Sequence, residues 1–245
     1  MNSAFRHAPG WMLFSVLLLL LPLSLPAQTP PPAAPAKPAN AETFSVNFAR
    51  GQWEAAKWIS LRLPNQAVPR TFDQQDDCIA NGPFAAEEIK QQLDNVVLVT
   101  DTGINPGEVT LTFSMGEEPG TAPGLLIGPE YRDGVLVSGT VIFVTFDRAV
   151  VWDYTADPAT KKFKYTHLFQ FSRWFAPGEK HVITCRFGNY IALRVDQSDT
   201  IVLRNRKVNS KVGIWGCHGS GRFYSLVIAR SNTLAWTASK PPENK

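Results

Sequence analysis

No Cys-x-x-Cys pair occurs in the 245 residues, and the four histidines are scattered rather than clustered. These absences argue against a thiol redox centre and a zinc knuckle. A Gly-x-Ser-x-Gly elbow and a Ser-His-Asp order are missing too, which leaves a serine hydrolase without support. Charge of one sign is lacking: 24 Lys and Arg stand against 21 Asp and Glu. The local basic runs "TKKFKYTH" and "LRNRKVNSK" do not form a stripe with interleaved aromatics, so nucleic acid is not an expected partner. Helical patterning is scarce. No interval of about 10–15 residues with an apolar helical stripe separates successive strand signals, and a parallel βαβ sheet is thereby disfavoured.

An apolar run in the layout of a leader stands at the start of the chain. "MNSAFRHAPGWMLFSVLLLLLPLSLPAQ" places Arg6 and His7 before an apolar core from Trp11 to Leu21, then small residues up to Ala27. This is the layout of a secretory signal peptide, residues 1–27. Its core is shorter than the roughly 20 residues of a membrane-crossing helix, so no transmembrane span is expected after cleavage. No cysteine lies near the cut to accept a lipid. Residues 28–41 include "TPPPAAPAKPANA", whose prolines favour an extended tether. The folded domain is expected over residues 42–236, and residues 237–245 form a polar tail. A periplasmic or extracellular location follows from the signal.

What is there is strand after strand. "EVTLTFSM" alternates Val109, Leu111, Phe113 and Met115 with Glu108, Thr110, Thr112 and Ser114, so one face is dry. "KHVITCRF" and "IALRVD" alternate likewise, and "NVVLVTD", "GLLIG" and "GVLVSGTVIFVTFDRAVVWDY" are near-continuously apolar, the last with a turn near "FDRA". One helix is expected, about three turns over "PFAAEEIKQQL", residues 83–93. Pro83 and the early Glu87 and Glu88 suit its start. Ten or eleven strands cannot hide their apolar faces under one short helix. The expected architecture is therefore all-β, a two-sheet antiparallel sandwich, with barrel closure as the alternative that alternation does not separate. Residues 64–106 are polar and irregular; they cap one end of the sandwich or cover a groove.

The closing strands, "GEKHVITCRFGNYIALRVDQSDTIV" and "KVGIWGCHGSGRFYSLVIA", resemble those of the concanavalin A-like lectin/glucanase superfamily, nearest the bacterial exported domains related to 3-keto-disaccharide hydrolases. His181 opens a strand, Gly188-Asn189 marks a hairpin, Asp196 ends the next strand, and Gly213 and Phe223 stand in the last two. "APGLLIGPEYRDGVLVSGTVIFV" is similar to the earlier strands of that pattern. The resemblance spans residues 107–230 and weakens over 42–106. Gln197 replaces the usual Gly of an Asp-Gly turn, which implies an altered hairpin. These are turn and core positions, and they imply a jelly-roll fold rather than an activity.

Candidate site residues divide by chemistry. Glucanases of that superfamily carry E-x-D-x-x-E on one strand; the pattern is absent here. A glycosidase needs two carboxylates flanking its bond, and Glu130 with Asp153 is the pair to test first, against the plainer reading of solvated loop acids. In "VVWDYT", Trp152 and Tyr154 share one side and Asp153 the other; Trp152, Tyr154 and Trp174 are the candidate sugar-stacking rings, with ordinary core packing as the alternative. His167 and His218 read as structural. Cys185 and Cys217 lie in expected strands and could form a disulfide if those strands are neighbours; otherwise they, with Cys78, are small buried hydrophobes. No cofactor is expected, and Ca²⁺ at the oxygen-rich "FDQQDDC" or "EYRD" is the one open option. The expected role is recognition of a carbohydrate by an exported domain. Two alternatives stand beside it: a sugar-processing hydrolase or lyase of the 3-keto-disaccharide hydrolase type, and a non-catalytic envelope domain that is structural or binds protein.

Overall fold

The computed structural model describes residues 43–188, 190–198, 200–204 and 208–230. The expected signal peptide, linker and polar tail lie outside these residues. Fifteen strands follow in chain order: β1 (Thr43–Asn47), β2 (Trp58–Leu61), β3 (Asp73–Gln74), β4 (Ile79–Ala80), β5 (Val96–Asp101), β6 (Glu108–Met115), β7 (Ala122–Arg132), β8 (Val135–Thr145), β9 (Arg148–Asp157), β10 (Lys162–Ser172), β11 (His181–Phe187), β12 (Tyr190–Val195), β13 (Ile201–Arg204), β14 (Lys211–Cys217) and β15 (Gly221–Ala229). They form two sheets. Sheet I runs β13-β12-β11-β6-β15-β4-β3, and sheet II runs β10-β9-β8-β7-β14-β5-β2. β1 joins sheet I along β15 beyond β4, with Thr43 opposite Ala229 and Asn47 opposite Ser225. The strands pair antiparallel throughout, as the hairpin-rich sequence requires. The expected all-β sandwich is the fold.

The alternation in β6 does what period two dictates. Val109, Leu111, Phe113 and Met115 point into the space between the sheets and are buried. Ile183 and Cys185 of β11 and Leu193 and Val195 of β12 join them from the same sheet, and Leu125, Ile142, Val151 and Ile214 meet them from sheet II. β15 breaks the period once. A bulge between Phe223 and Ser225 shifts the register, so Phe223 and Leu226 both reach the core although three residues apart.

Sheet II is apolar on its outer face as well, where Val97, Val99, Leu126, Val141, Tyr154 and Trp215 form a second cluster. That is why β5, β7 and β8 read as near-continuous apolar runs: a strand buried on both sides has no polar face to alternate with. Glycine makes room for the large rings. A Cβ on Gly124 would sit 2.7 Å from Phe143 Cδ1 and 2.8 Å from the Ile142 carbonyl oxygen.

The expected helix is shorter than its pattern suggests. α1 spans only Ala86–Lys90, because Ala85 is extended and Gln92 adopts a left-handed φ of 55°. Glu88 accepts the Ala85 N–H at 3.0 Å and pairs with Arg70, which ties the helix to the preceding loop. The polar stretch around it does two jobs. β3 and β4 extend sheet I, while residues 61–66 and 92–95 fold onto the outer face of sheet II. Gln66 Nε2 donates to the carbonyls of Leu93 (3.0 Å) and Asn95 (2.8 Å) and holds these two segments together.

Of the two readings of Cys185 and Cys217, a disulfide or small buried hydrophobes, the structure has the second. Cys185 lies in sheet I facing the core and Cys217 in sheet II facing outward, and both are free, as is Cys78. Burial pushes the thiols up, that of Cys78 to about 11. Among the described residues no helix is long and apolar enough to cross a membrane.

Candidate functional site

Where residues 61–66 stop short, the outer face of sheet II stays open as a cleft of about 680 Å³. It crosses the strands near the end carrying the β8–β9 turn, the β6–β7 loop and the β14–β15 turn. Its floor is aromatic: Phe143 from β8, Trp152 from β9 and Tyr165 from β10. Thr145, Asp147 and Arg148 border it at the β8–β9 turn, and Asn95, Cys217 and His218 border it at the β14 end.

The rings brace one another. Trp152 lies 5.1 Å from Tyr165 and 6.2 Å from Phe143, centroid to centroid. Phe143 meets Trp215 edge-on at 5.5 Å. Trp215 is wholly buried under the floor, its Nε1 donating to Asn95 Oδ1 at 2.9 Å, so the floor is tied to the segment that walls the cleft. Such edge-to-face contacts fix ring orientation.

At the β14 end, β5 is entered through Asp94, whose side chain is 0% exposed. Its Oδ2 lies 2.7 Å from His218 Nδ1 and accepts the His218 backbone N–H at 2.8 Å. The Asp94 carboxylate hydrogen-bonded to the ring raises the His218 pKa above its ordinary value, burial working in the opposite direction. His218 has a left-handed φ of 54°, which swings the ring off the end of β14 and back over Asp94. The imidazole is half-buried and lines the cleft. The two groups are 124 positions apart in sequence and meet only through the β14–β5 pairing. At the opposite border Arg148 pairs with Asp147 at 3.0 Å, and Asp147 also accepts from Thr145 at 2.9 Å. The Arg148 and Thr145 hydrogen bonds hold the Asp147 carboxyl below its ordinary range.

The sequence-derived candidates fall in different places. Trp152 is half-buried in the cleft floor. Tyr154 is on the same face, as its spacing requires, but it is 0% exposed. Tyr165, Phe163 and Trp215 cover it at ring distances of 5.4, 6.0 and 5.3 Å, so it supports the floor and cannot touch a ligand there. Trp174 is 67% exposed and packs on Phe146 of the β8–β9 turn at 6.1 Å, which places it at the cleft's rim.

Glu130 and Asp153 do come together, in a shallow depression of about 410 Å³ shared with Ser138 and Thr140. Ser138 donates to Glu130 at 3.2 Å and Thr140 to Asp153 at 2.8 Å. By alternation Asp153 is on the side of β9 opposite Trp152, so this pair does not serve the aromatic cleft. His167 is exposed on β10 beside a register shift. His181 is buried between sheets: Nδ1 lies 2.9 Å from Asp196 Oδ2 and Nε2 3.0 Å from the Ala176 carbonyl oxygen. Asp196 also accepts the Val182 N–H at 2.8 Å, so the pair staples the start of β11 to the end of β12. The hairpin altered by Gln197 puts its left-handed φ, 52°, on Asp196 itself. Among the described residues no three His, Cys, Asp or Glu side chains converge to hold a metal. Asp73, Asp76 and Asp77 are exposed, and Asp76 pairs with Arg50 at 3.3 Å.

No protein-family model matches the chain, and no curated protein matches it. Solved structures do match in fold. The apo Crh5 transglycosylase superposes with a TM-score of 0.53 at 10% identity, over 78% of this chain and 85% of that one. LamA from Z. galactanivorans, in complex with laminaritriose and laminaritetraose, gives 0.52 at 12% identity, over 76% and 98%. SCLam, a non-specific endo-beta-1,3(4)-glucanase from family GH16, gives 0.51 at 11% identity, over 79% and 92%. At 10–12% identity these likenesses are ones of fold: this chain shares with those proteins a sandwich of two facing antiparallel sheets.

Proposed function

We propose that the chain is an exported carbohydrate-recognition domain, and that its ligand lies in the cleft on the outer face of sheet II. One observation carries this reading: Trp152, Tyr165 and Phe143 form a braced aromatic floor in an open groove with amide and hydroxyl groups along its borders. Sugar rings have an apolar face and a polar rim, and such a groove offers a match for both. That LamA is solved with laminaritriose and laminaritetraose bound agrees with the reading by analogy of fold.

Double-displacement hydrolysis has less support. Among the described residues that line the cleft Asp147 is the one carboxylate, and it is paired with Arg148, so no carboxylate pair is there to flank a glycosidic bond. A sugar-processing role of the 3-keto-disaccharide hydrolase type, as hydrolase or lyase, is favoured by one feature: the Asp94–His218 pair, an imidazole backed by a buried carboxylate at the groove's end.

The test is a glycan array of the full chain, with and without Ca²⁺, followed by product analysis on every hit. Binding without turnover is the expected result. Trp152→Ala is expected to weaken it by about 30-fold, the loss of roughly 2 kcal/mol typical of an aromatic anchor. Turnover moves the assignment to the processing enzyme. Absence of any hit favours a structural or protein-binding envelope domain.

A further inference from the structure

The charges around the cleft come in closed pairs. Asp147 and Arg148 face each other in the β8–β9 turn at 3.0 Å. Asp94 and His218 do so at the β14 end at 2.7 Å. The other polar groups on the border are neutral, among them Asn95, Thr145 and Gln170. No lysine lines the cleft among the described residues. A carboxylated or sulfated sugar entering it would lose hydration and find no uncompensated cation in return, a net cost in a half-enclosed groove. A neutral sugar loses little and gains the aromatic floor.

The two pairs are not alike. Arg148 and Asp147 are both exposed, at 46% and 61%, so water competes for them. Asp94 is fully enclosed and holds His218 from two sides, by the ring Nδ1 and by the backbone N–H. With Nδ1 turned inward, the ring's free edge is the one carrying Nε2, and the residue lines the cleft. Asp94 Oδ1 is buried without a hydrogen-bond partner, so the carboxylate has capacity beyond the contacts it makes.

We infer that the groove is built for a neutral oligosaccharide, and that His218, positioned by Asp94, is its polar anchor, donating from Nε2 to a sugar oxygen at the β14 end while Trp152 stacks beneath a neighbouring ring. This rests on the glycan-recognition reading and adds the ligand class and the residue that grips it. Donation from an imidazolium is charge-assisted and stronger than from a neutral ring. Other titratable groups packed near His218 are the Cys217 thiol on its own strand, Tyr165 from β10, and Glu118 in the β6–β7 loop, which is engaged by Ser220 Oγ at 2.8 Å. Burial raises the thiol and the phenol, so neither changes charge between pH 5 and 8. Hydrogen bonds within its own loop and from Ser220 hold the Glu118 carboxyl below its ordinary range, so it stays ionised there. Ligand affinity in that window therefore follows the imidazole: strong while it is protonated, weaker as pH rises through its raised pKa.

The test uses the full chain, with laminaritetraose, cellotetraose and tetragalacturonate as probes in calorimetric titrations from pH 5.5 to 9. A neutral probe is expected to bind, tetragalacturonate is not, and affinity for the neutral probe is expected to fall about tenfold across the range. His218→Asn, which tolerates the left-handed backbone, is expected to flatten the profile at the weaker level. In the wild type, the His218 imidazole resonances are expected to shift on addition of the neutral probe. Equal, pH-independent affinity in wild type and His218→Asn, with unmoved imidazole resonances, would overturn the anchor and leave the groove reading standing. Preference for tetragalacturonate would overturn the neutral-ligand assignment. If none of the three binds while Trp152→Ala and wild type are equally folded, the groove reading fails and the anchor with it.

Discussion

Asp94 and His218 link cleft chemistry to folding. Because the Asp94 carboxylate raises the His218 pKa, the folded chain holds that proton more tightly than the unfolded chain does. The contribution is fully present below the unfolded value of about 6.5 and is lost as pH rises through the folded one. Wild type is expected to melt above His218→Asn by the largest margin near pH 5.5–6, with the gap closing toward pH 9; melting curves at half-unit steps check this. Period two in "VVWDYT" places Trp152 and Tyr154 on one side of β9 and Asp153 on the other, without saying which side is wet. It could not see the dyad. Asp94 precedes a run of valines, nothing local marks it, and its partner is 124 residues away. The only signal near His218 was the "CHGSG" turn, where glycines announce unusual backbone but not what the histidine faces. Tyr154 shows the opposite failure: its side was legible, but its cover by Tyr165 depends on β10 and on the width of neighbouring rings.

Strands are legible in the sequence wherever one face is wet. β6 is found over the residues its alternation marks, and the β8–β9 turn falls at the Phe146–Asp147 break inside "TFDRA". Strands of sheet II were visible as apolar runs, but their second buried face was not, since a continuous run does not say what lies on either side. Short β3 and β4 escaped notice because two residues carry no period. The helix is shorter than its pattern, because the apolar and charged spacing continues to Leu93 while the left-handed Gln92 keeps the backbone from following. At this level the close approach of β7 to β8 sets the cleft floor. Gly124→Ala is expected to cost about 1–3 kcal/mol, since the new methyl would press on Phe143 and on backbone that cannot yield. Denaturant titration checks the cost. Near-UV circular dichroism is expected to change with it, because the displaced ring is part of the aromatic floor.

For the molecule as a whole, the sandwich was legible because ten or so half-dry strands admit few ways to hide their apolar sides. What was not legible was which strand lies in which sheet, and so the separation of Cys185 from Cys217. The sandwich is held by packing and strand pairing with its thiols free. Native protein is therefore expected to resist a thiol-specific aromatic disulfide reagent at pH 8, to release three equivalents in guanidinium, and to melt at the same temperature with or without dithiothreitol. The pairing of β1 with β15 has a mechanical consequence. Thr43 stands opposite Ala229, so the two ends of the described fold emerge side by side, at the end of β15 away from the turn that carries His218. Tension applied between those ends opens this ladder one hydrogen bond at a time, like a zip, instead of shearing all its bonds together. For the same reason the domain suits splicing into a loop of a host protein, and its ends suit joining by a short bridge, with the cleft facing away from the seam.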